Sequence, residues 1–194
     1  MSCDFAADKL VGRLLDEMSS PSMDNLDLAT EEEKEVLSLA IRYKREAKKC
    51  LHAKAYLAGC VFIGAAMEAL LLSSANCFPE IVTLAKSAPK RNGKVRPLRE
   101  WSFFNLLRVA EELSWLPSVL SEKDDWNDAK AEIGDYVDVV RQVRNLVHPA
   151  RYAGDFTGKK VTKKYYEACF RIVEAASDHL LEIIKASLKI MKDE

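Results

Sequence analysis

Residues 55–72 read AYLAGCVFIGAAMEALLL, a run of eighteen positions with one charge, Glu68. A helix of that length is just long enough to span a membrane. Seven of the residues are Ala or Gly, so the hydrophobicity is modest. A carboxylate inside a span also costs about 2.5–3.5 kcal/mol on insertion scales. A helix that is apolar on all sides arises equally at the centre of a bundle. The sequence fits the second origin better, and that reading predicts amphipathic helices wrapped around this one.

The neighbouring segments have the required spacing. Thr30 and Glu33 form a Thr-x-x-Glu capping box that opens a long helix, with Val36, Ala40, Tyr43, Ala47 and Leu51 on one face. The chain turns near residues 51–54 into the apolar helix, expected over 54–76. Residues 77–100 read as a connection with one helical turn after Pro79. WSFFNLLRVAEELSW is helical again, with Phe103, Leu106, Leu107, Ala110 and Leu113 on one side, and Pro117 breaks it. A long helix is expected from about 122 to 148. Pro149 ends it, because the residue before a proline disfavours the α region. PARYAGDFTGKKV reads as a loop. Thr162 caps a last helix to about 191, with Cys169, Ile172, Val173, Ala176, Leu180, Ile183 and Ile184 as its apolar stripe.

The expected architecture is therefore all-α: an antiparallel bundle of five to seven helices over residues 31–194. Short connections between long helices favour antiparallel neighbours. Before it, residues 3–18 read as a short amphipathic helix and SSPSMDNLDLAT as a polar linker, so residues 1–30 form an N-terminal helix and linker.

Composition bounds the rest. The chain has 194 residues, 48% of them hydrophobic and 30% charged, with a net charge of −1. Net charge alone points to neither nucleic acid nor membrane. The five cysteines are odd in number and no two have C-x-x-C spacing, so reduced thiols are expected rather than a disulfide framework or a zinc site. No secretory signal is visible at the N-terminus. Charge is nevertheless uneven. Six cations and no acid lie between Lys86 and Arg99, and seven cations against Asp155 lie between Arg141 and Lys164. Residues 111–135 hold eight acids and two lysines. Two basic regions of this kind can border a phosphate-binding surface, or can simply be solvated loops.

One polar set falls in the second region. In VRQVRNLVHPARY, residues 140–152, an α-helix turns about 100° per residue. With Arg141 at zero, Arg144 lies near −60°, Asn145 near +40° and His148 near −20°, about one sector of the helix. Guanidinium forks bind phosphate oxygens bidentately and stay charged. An imidazole exchanges protons near neutral pH. The set suits metal-independent RNA cleavage, in which a ribose 2′-hydroxyl attacks the adjacent phosphate. One imidazole per chain is too few for separate base and acid, so a two-fold homodimer is expected. Arg151, Lys159 and Lys160 would flank the cleft as phosphate-binding residues. The competing explanation is helix-end electrostatics, worth about 0.3–1 kcal/mol for a cation in the last turn. Glu68 is costly unpaired in an apolar helix, which predicts a partner on the motif helix, Arg141 or Arg144. His52 and His179 have no companions at motif spacing, and the three tryptophans lie on or beside apolar stripes.

RNLVHP near a helix end, with AGCVFIGAAMEALLL before it and a basic amphipathic helix after it, resembles the HEPN superfamily over residues 31–190. The resemblance implies a small helical bundle. Many members are metal-independent endoribonucleases of toxin–antitoxin, abortive-infection or CRISPR-linked systems; others are inactive nucleotide-binding or scaffolding modules. The family pattern has an Arg, usually followed by a polar residue such as Asn, with four to six residues between that Arg and a His. His148 and Asn145 match it. Arg144 has Asn after it but three residues before His148; Arg141 has six but is followed by Gln142. Which arginine takes the family's place stays open. The resemblance implies a cytoplasmic homodimer that binds RNA or a nucleotide, with an antitoxin or other operon partner. No cofactor, metal or membrane is expected, since the sequence shows no metal-ligand cluster and the apolar run reads as a bundle core. The alternative that the resemblance leaves is a catalytically inactive interaction module.

Overall fold

The computed structural model describes residues 31–118, 132–156 and 160–193. The expected N-terminal helix and linker, the Thr30 cap, Trp126 and Lys159 lie outside these residues.

The apolar run 55–72 lies in helix α2, Tyr56–Cys77. Its length and composition would let it cross a membrane. In this fold it packs against α1 (Glu31–His52), α4 (Phe103–Glu112), α5 (Ile133–Asn145) and α7 (Lys163–Asp193). Cys60, Ile63, Met67, Leu70 and Leu71 are buried, and they meet Leu107, Val137, Val140, Val173 and Leu180 from three of those neighbours. Two glycines let the neighbours come close. A Cβ on Gly59 would lie 2.5 Å from the Tyr166 ring of α7, and a Cβ on Gly64 would lie 2.5 Å from Arg144 Cβ of α5.

The α1–α2 connection is three residues long. Lys54 takes a positive φ of 57°. Its N–H donates to Leu51 O at 3.0 Å, and the N–H of Ala55 donates to Cys50 O at 2.8 Å. This pair of bonds is the Schellman ending, which satisfies the last carbonyls of α1 and reverses the chain. The end of α4 repeats it: Ser114 has φ 58°, Ser114 N–H donates to Glu111 O and Trp115 N–H to Ala110 O.

Between α2 and α4 lie a short helix α3 (Pro79–Leu84), a two-stranded antiparallel hairpin, β1 (Lys90–Arg91) and β2 (Lys94–Val95), and a 3₁₀ turn at Leu98–Glu100. The helical turn after Pro79 is where the sequence placed it; the hairpin was not expected. Helix α4 starts at a reciprocal cap between Ser102 and Asn105.

Two expectations need correction. The motif helix does not run unbroken from 122 to 148. Glu132 is extended, and its N–H donates to Asp135 Oδ2 at 2.8 Å, which starts the helix at Ile133. Asp135 is buried and also accepts from the Ser118 hydroxyl. At the other end α5 stops at Asn145. The second correction concerns PARYAGDFTGKKV. Its first seven residues form helix α6, Pro149–Asp155. Proline lacks the N–H that a first helical turn leaves unused, and its φ is already helical, so Pro149 starts a helix as well as stopping one.

Helix α7 begins after Thr162, whose hydroxyl accepts from Tyr165 N–H at 3.4 Å. Its stripe from Cys169 to Leu180 faces the core as the spacing predicts. Lys44 Nζ of α1 donates to Ser177 Oγ at 3.1 Å. Burial pushes Lys44 below its ordinary pKa, against the pull of Glu174 and Asp178. The four cysteines among the described residues are free thiols, and Cys60 of α2 and Cys169 of α7 are buried. The Tyr166 hydroxyl is buried near Cys60 and Cys50 and has no hydrogen-bond partner among the described residues.

Candidate functional site

Arg144 lies in the last turn of α5. Its stem rests on the gap left by Gly64, and its Nη2 donates to Glu68 Oε2 at 2.6 Å. Gly64 and Glu68 are one helical turn apart on α2, so one face of that helix takes both ends of the side chain. The pair is half-buried, with about a quarter of each side chain exposed (24% for Glu68, 30% for Arg144). The expected partner of Glu68 is thus found, and it is Arg144 rather than Arg141.

Arg141 is engaged elsewhere. Its Nε and Nη2 donate to the two oxygens of Asp138 at 2.6 and 3.3 Å. Its guanidinium carbon stands 5.3 Å from the centroid of Phe104 on α4, and Arg108 approaches the same ring at 5.1 Å. Gln142 Nε2 also donates to Asp138 at 2.8 Å. Burial raises the Asp138 carboxyl, but the hydrogen bonds from Arg141 and Gln142 outweigh it and hold the pKa below the ordinary value. Arg141 therefore has its edge on a carboxylate and its face on an aromatic ring. Asp138 and Phe104 were not singled out from the sequence. Asp138 could have been, since an acid three residues before an arginine is a standard helical pair.

His148 is not on the motif helix. It is extended, with φ −80° and ψ 119°, and it is the N-cap residue of α6. Its N–H donates to Asn145 O and its carbonyl accepts from Tyr152 N–H, each at 3.0 Å. Its side chain makes no capping bond and is exposed. The shared sector that helical spacing gave for Arg141, Arg144, Asn145 and His148 therefore fails at its last member. Pro149 is the reason, because its ring excludes the α region at residue 148. Helix-end electrostatics also loses its force for this residue. The imidazole stands at a helix start, where a positive charge gains nothing from the dipole.

Asn145 ends α5 and is half-buried. Arg151 of α6 and Lys160 are exposed. Three aromatic rings that the sequence reading missed tie this region to α7. Tyr152, Phe156 and Tyr165 stand edge to face in succession, each pair 5.7 Å between centroids. Tyr165 keeps 39% of its surface exposed. The α5–α6 joint thus has an exposed imidazole at His148, one turn after the ion-paired Arg144 and followed by the exposed Arg151 of α6; the exposed Tyr165 ring belongs to α7 and meets this region through Phe156. Guanidinium and imidazole groups are the side-chain types that can hold a phosphate. His52 is exposed and its Nδ1 meets Lys48 O at 2.8 Å, while the Nε2 of His179 is buried without a partner among the described residues. Trp101 and Trp115 pack as expected, Trp101 donating its indole N–H to Arg96 O. Among the described residues no three His, Cys, Asp or Glu side chains converge as metal ligands. Compared with models of known families, with curated proteins and with solved structures, the chain matches none.

Proposed function

We propose that the chain is a HEPN-like RNA-binding domain whose α5–α6 joint, paired with its copy in a two-fold homodimer, cleaves RNA without a metal. In this reading His148 takes the proton of a ribose 2′-hydroxyl, whose oxygen attacks the adjacent phosphorus. The P–O5′ bond breaks, and the same side chain of the second copy gives a proton to the departing O5′. The products are a 2′,3′-cyclic phosphate and a free 5′-hydroxyl. Arg144 is the better phosphate ligand of the two arginines, because a single carboxylate contact leaves it further N–H donors. Arg141 is already used on both edge and face.

The observation that carries the reading is the accessible His148 imidazole, free of any capping role, directly after a guanidinium that Glu68 orients. The test is incubation of purified protein with RNA in excess EDTA. Cleavage leaving 2′,3′-cyclic ends is expected, and His148→Ala should slow it by about 10²–10⁴-fold, the usual worth of a positioned proton-transfer group.

A second reading has its own support. Both arginines are ion-paired, as in a domain whose polar patch is structural and whose role is to dock a partner protein. Wild type that neither binds nor cuts RNA, with His148→Ala indistinguishable from it, would establish that reading instead.

A further inference from the structure

The hairpin between α3 and α4 is very short and strongly basic. Asn92 and Gly93 form its two-residue turn, with φ of 53° and 76°. Positive φ at both positions is the type I′ geometry that matches the twist of two antiparallel strands. Lys90 pairs with Val95 and Arg91 with Lys94. Val95 packs on the core, while Lys90, Arg91 and Lys94 are exposed.

The base of this ribbon is fixed from several sides. Arg96 N–H donates to Pro89 O at 2.9 Å, and its guanidinium donates to Glu100 O at 2.6 Å. Trp101 donates to Arg96 O at 2.8 Å. Glu112 of α4 accepts from Lys86 N–H, Ser87 N–H and the Ser87 hydroxyl at 2.7–2.8 Å, bonds that also lower its pKa. The scaffold holds a ribbon whose own cross-strand pairing is unfavourable. Arg91 and Lys94 are directly opposite, and like charges placed so repel. Glu100 offsets this weakly, at 3.4 Å from Arg91. Lys90 and Lys94 have no ion pair among the described residues.

We propose that the 90–95 hairpin is a docking element for the phosphate backbone of a nucleic acid, with one phosphate lodged between Arg91 and Lys94. An anion there turns the cross-strand repulsion into attraction to a shared partner. The occupant follows from what the ribbon presents. Protein interfaces are anchored by buried aromatic or aliphatic side chains, and membrane surfaces take apolar residues below the headgroups. The tip and the outer positions of this hairpin carry neither. Phosphates are held by cations alone, without base contacts. The element therefore grips RNA and DNA alike, and it is separate from the α5–α6 joint.

The test is fluorescence anisotropy with short labelled RNA and DNA duplexes of one sequence, across a salt series. Arg91→Ser with Lys94→Ser should weaken both duplexes roughly tenfold and lower the log–log salt slope by about 2. The circular dichroism spectrum should be unchanged, and Arg91→Lys with Lys94→Arg should retain binding. The same tenfold loss is expected in a His148→Ala background, which keeps this result apart from the fate of the proposed cleavage site. Wild type that binds neither duplex would overturn the proposal. So would equal affinity of the double serine variant, a loss that vanishes in the His148→Ala background, or preferential binding of phosphatidylserine vesicles or a polyglutamate peptide.

Discussion

Arg144 is gripped at both ends, by Gly64 under its stem and Glu68 at its head. Arg144→Met keeps most of the stem and strands a half-buried carboxylate. It should cost about 1–3 kcal/mol in urea unfolding, the range for losing a hydrogen bond to a charged group. Arg144→Met combined with Glu68→Met should recover part of that loss, because no unpaired charge is left. Strict additivity of the two single changes would show that the pair contributes nothing. The sequence disclosed half of this arrangement. A lone acid in an apolar helix demanded a cation, and helical spacing offered Arg141 and Arg144 equally. The choice was made by features that spacing does not weigh: the gap at Gly64, which admits the Arg144 stem, and the competition of Asp138 and Phe104 for Arg141.

The helices themselves were legible and their ends were not. Apolar spacing placed α1, α4 and α7, because burial of a stripe is written in every third or fourth residue, and an apolar run with no polar face placed α2. The joints depend on single backbone choices. Pro149 signalled a break, but the helix ends at Asn145 rather than at His148, and the proline's second property, starting the next helix, passed unread. The Schellman endings at Lys54 and Ser114 were hidden because neither residue is glycine. An L-residue there pays about 1–2 kcal/mol for the left-handed conformation. Glycine removes that strain but adds freedom to the unfolded chain. Lys54→Gly and Ser114→Gly should each raise unfolding stability by about 0.5–1 kcal/mol. A loss of stability in either would mean that the side chain's packing outweighs the backbone strain.

For the molecule as a whole, the all-helical architecture was readable and the small basic hairpin was not, since two-residue strands leave no alternating pattern to detect. The proposed chemistry requires two copies. Light scattering at micromolar concentration should give twice the chain mass of 21.8 kDa, and a cross-linker introduced next to His148 should join the two chains. A monomer under those conditions would remove the second imidazole and with it the proposed cleavage.

The buried hydroxyl of Tyr166 makes the bundle report on itself. Burial, with Cys60 and Cys50 nearby, raises its pKa above the ordinary value of 10.0. The folded chain therefore keeps this phenol neutral at a pH where the unfolded chain would ionise it. Stability is intact below about pH 10 and declines as the pH rises beyond it. Of the six tyrosines, this one should ionise last. In an alkaline titration followed by the ultraviolet absorbance of tyrosinate, the final increment should arrive together with the loss of helical dichroism. The same titration in strong denaturant should run smoothly, all six rings ionising as one population. A native optical signal for the contact between α2 and α7 is thus available without any label.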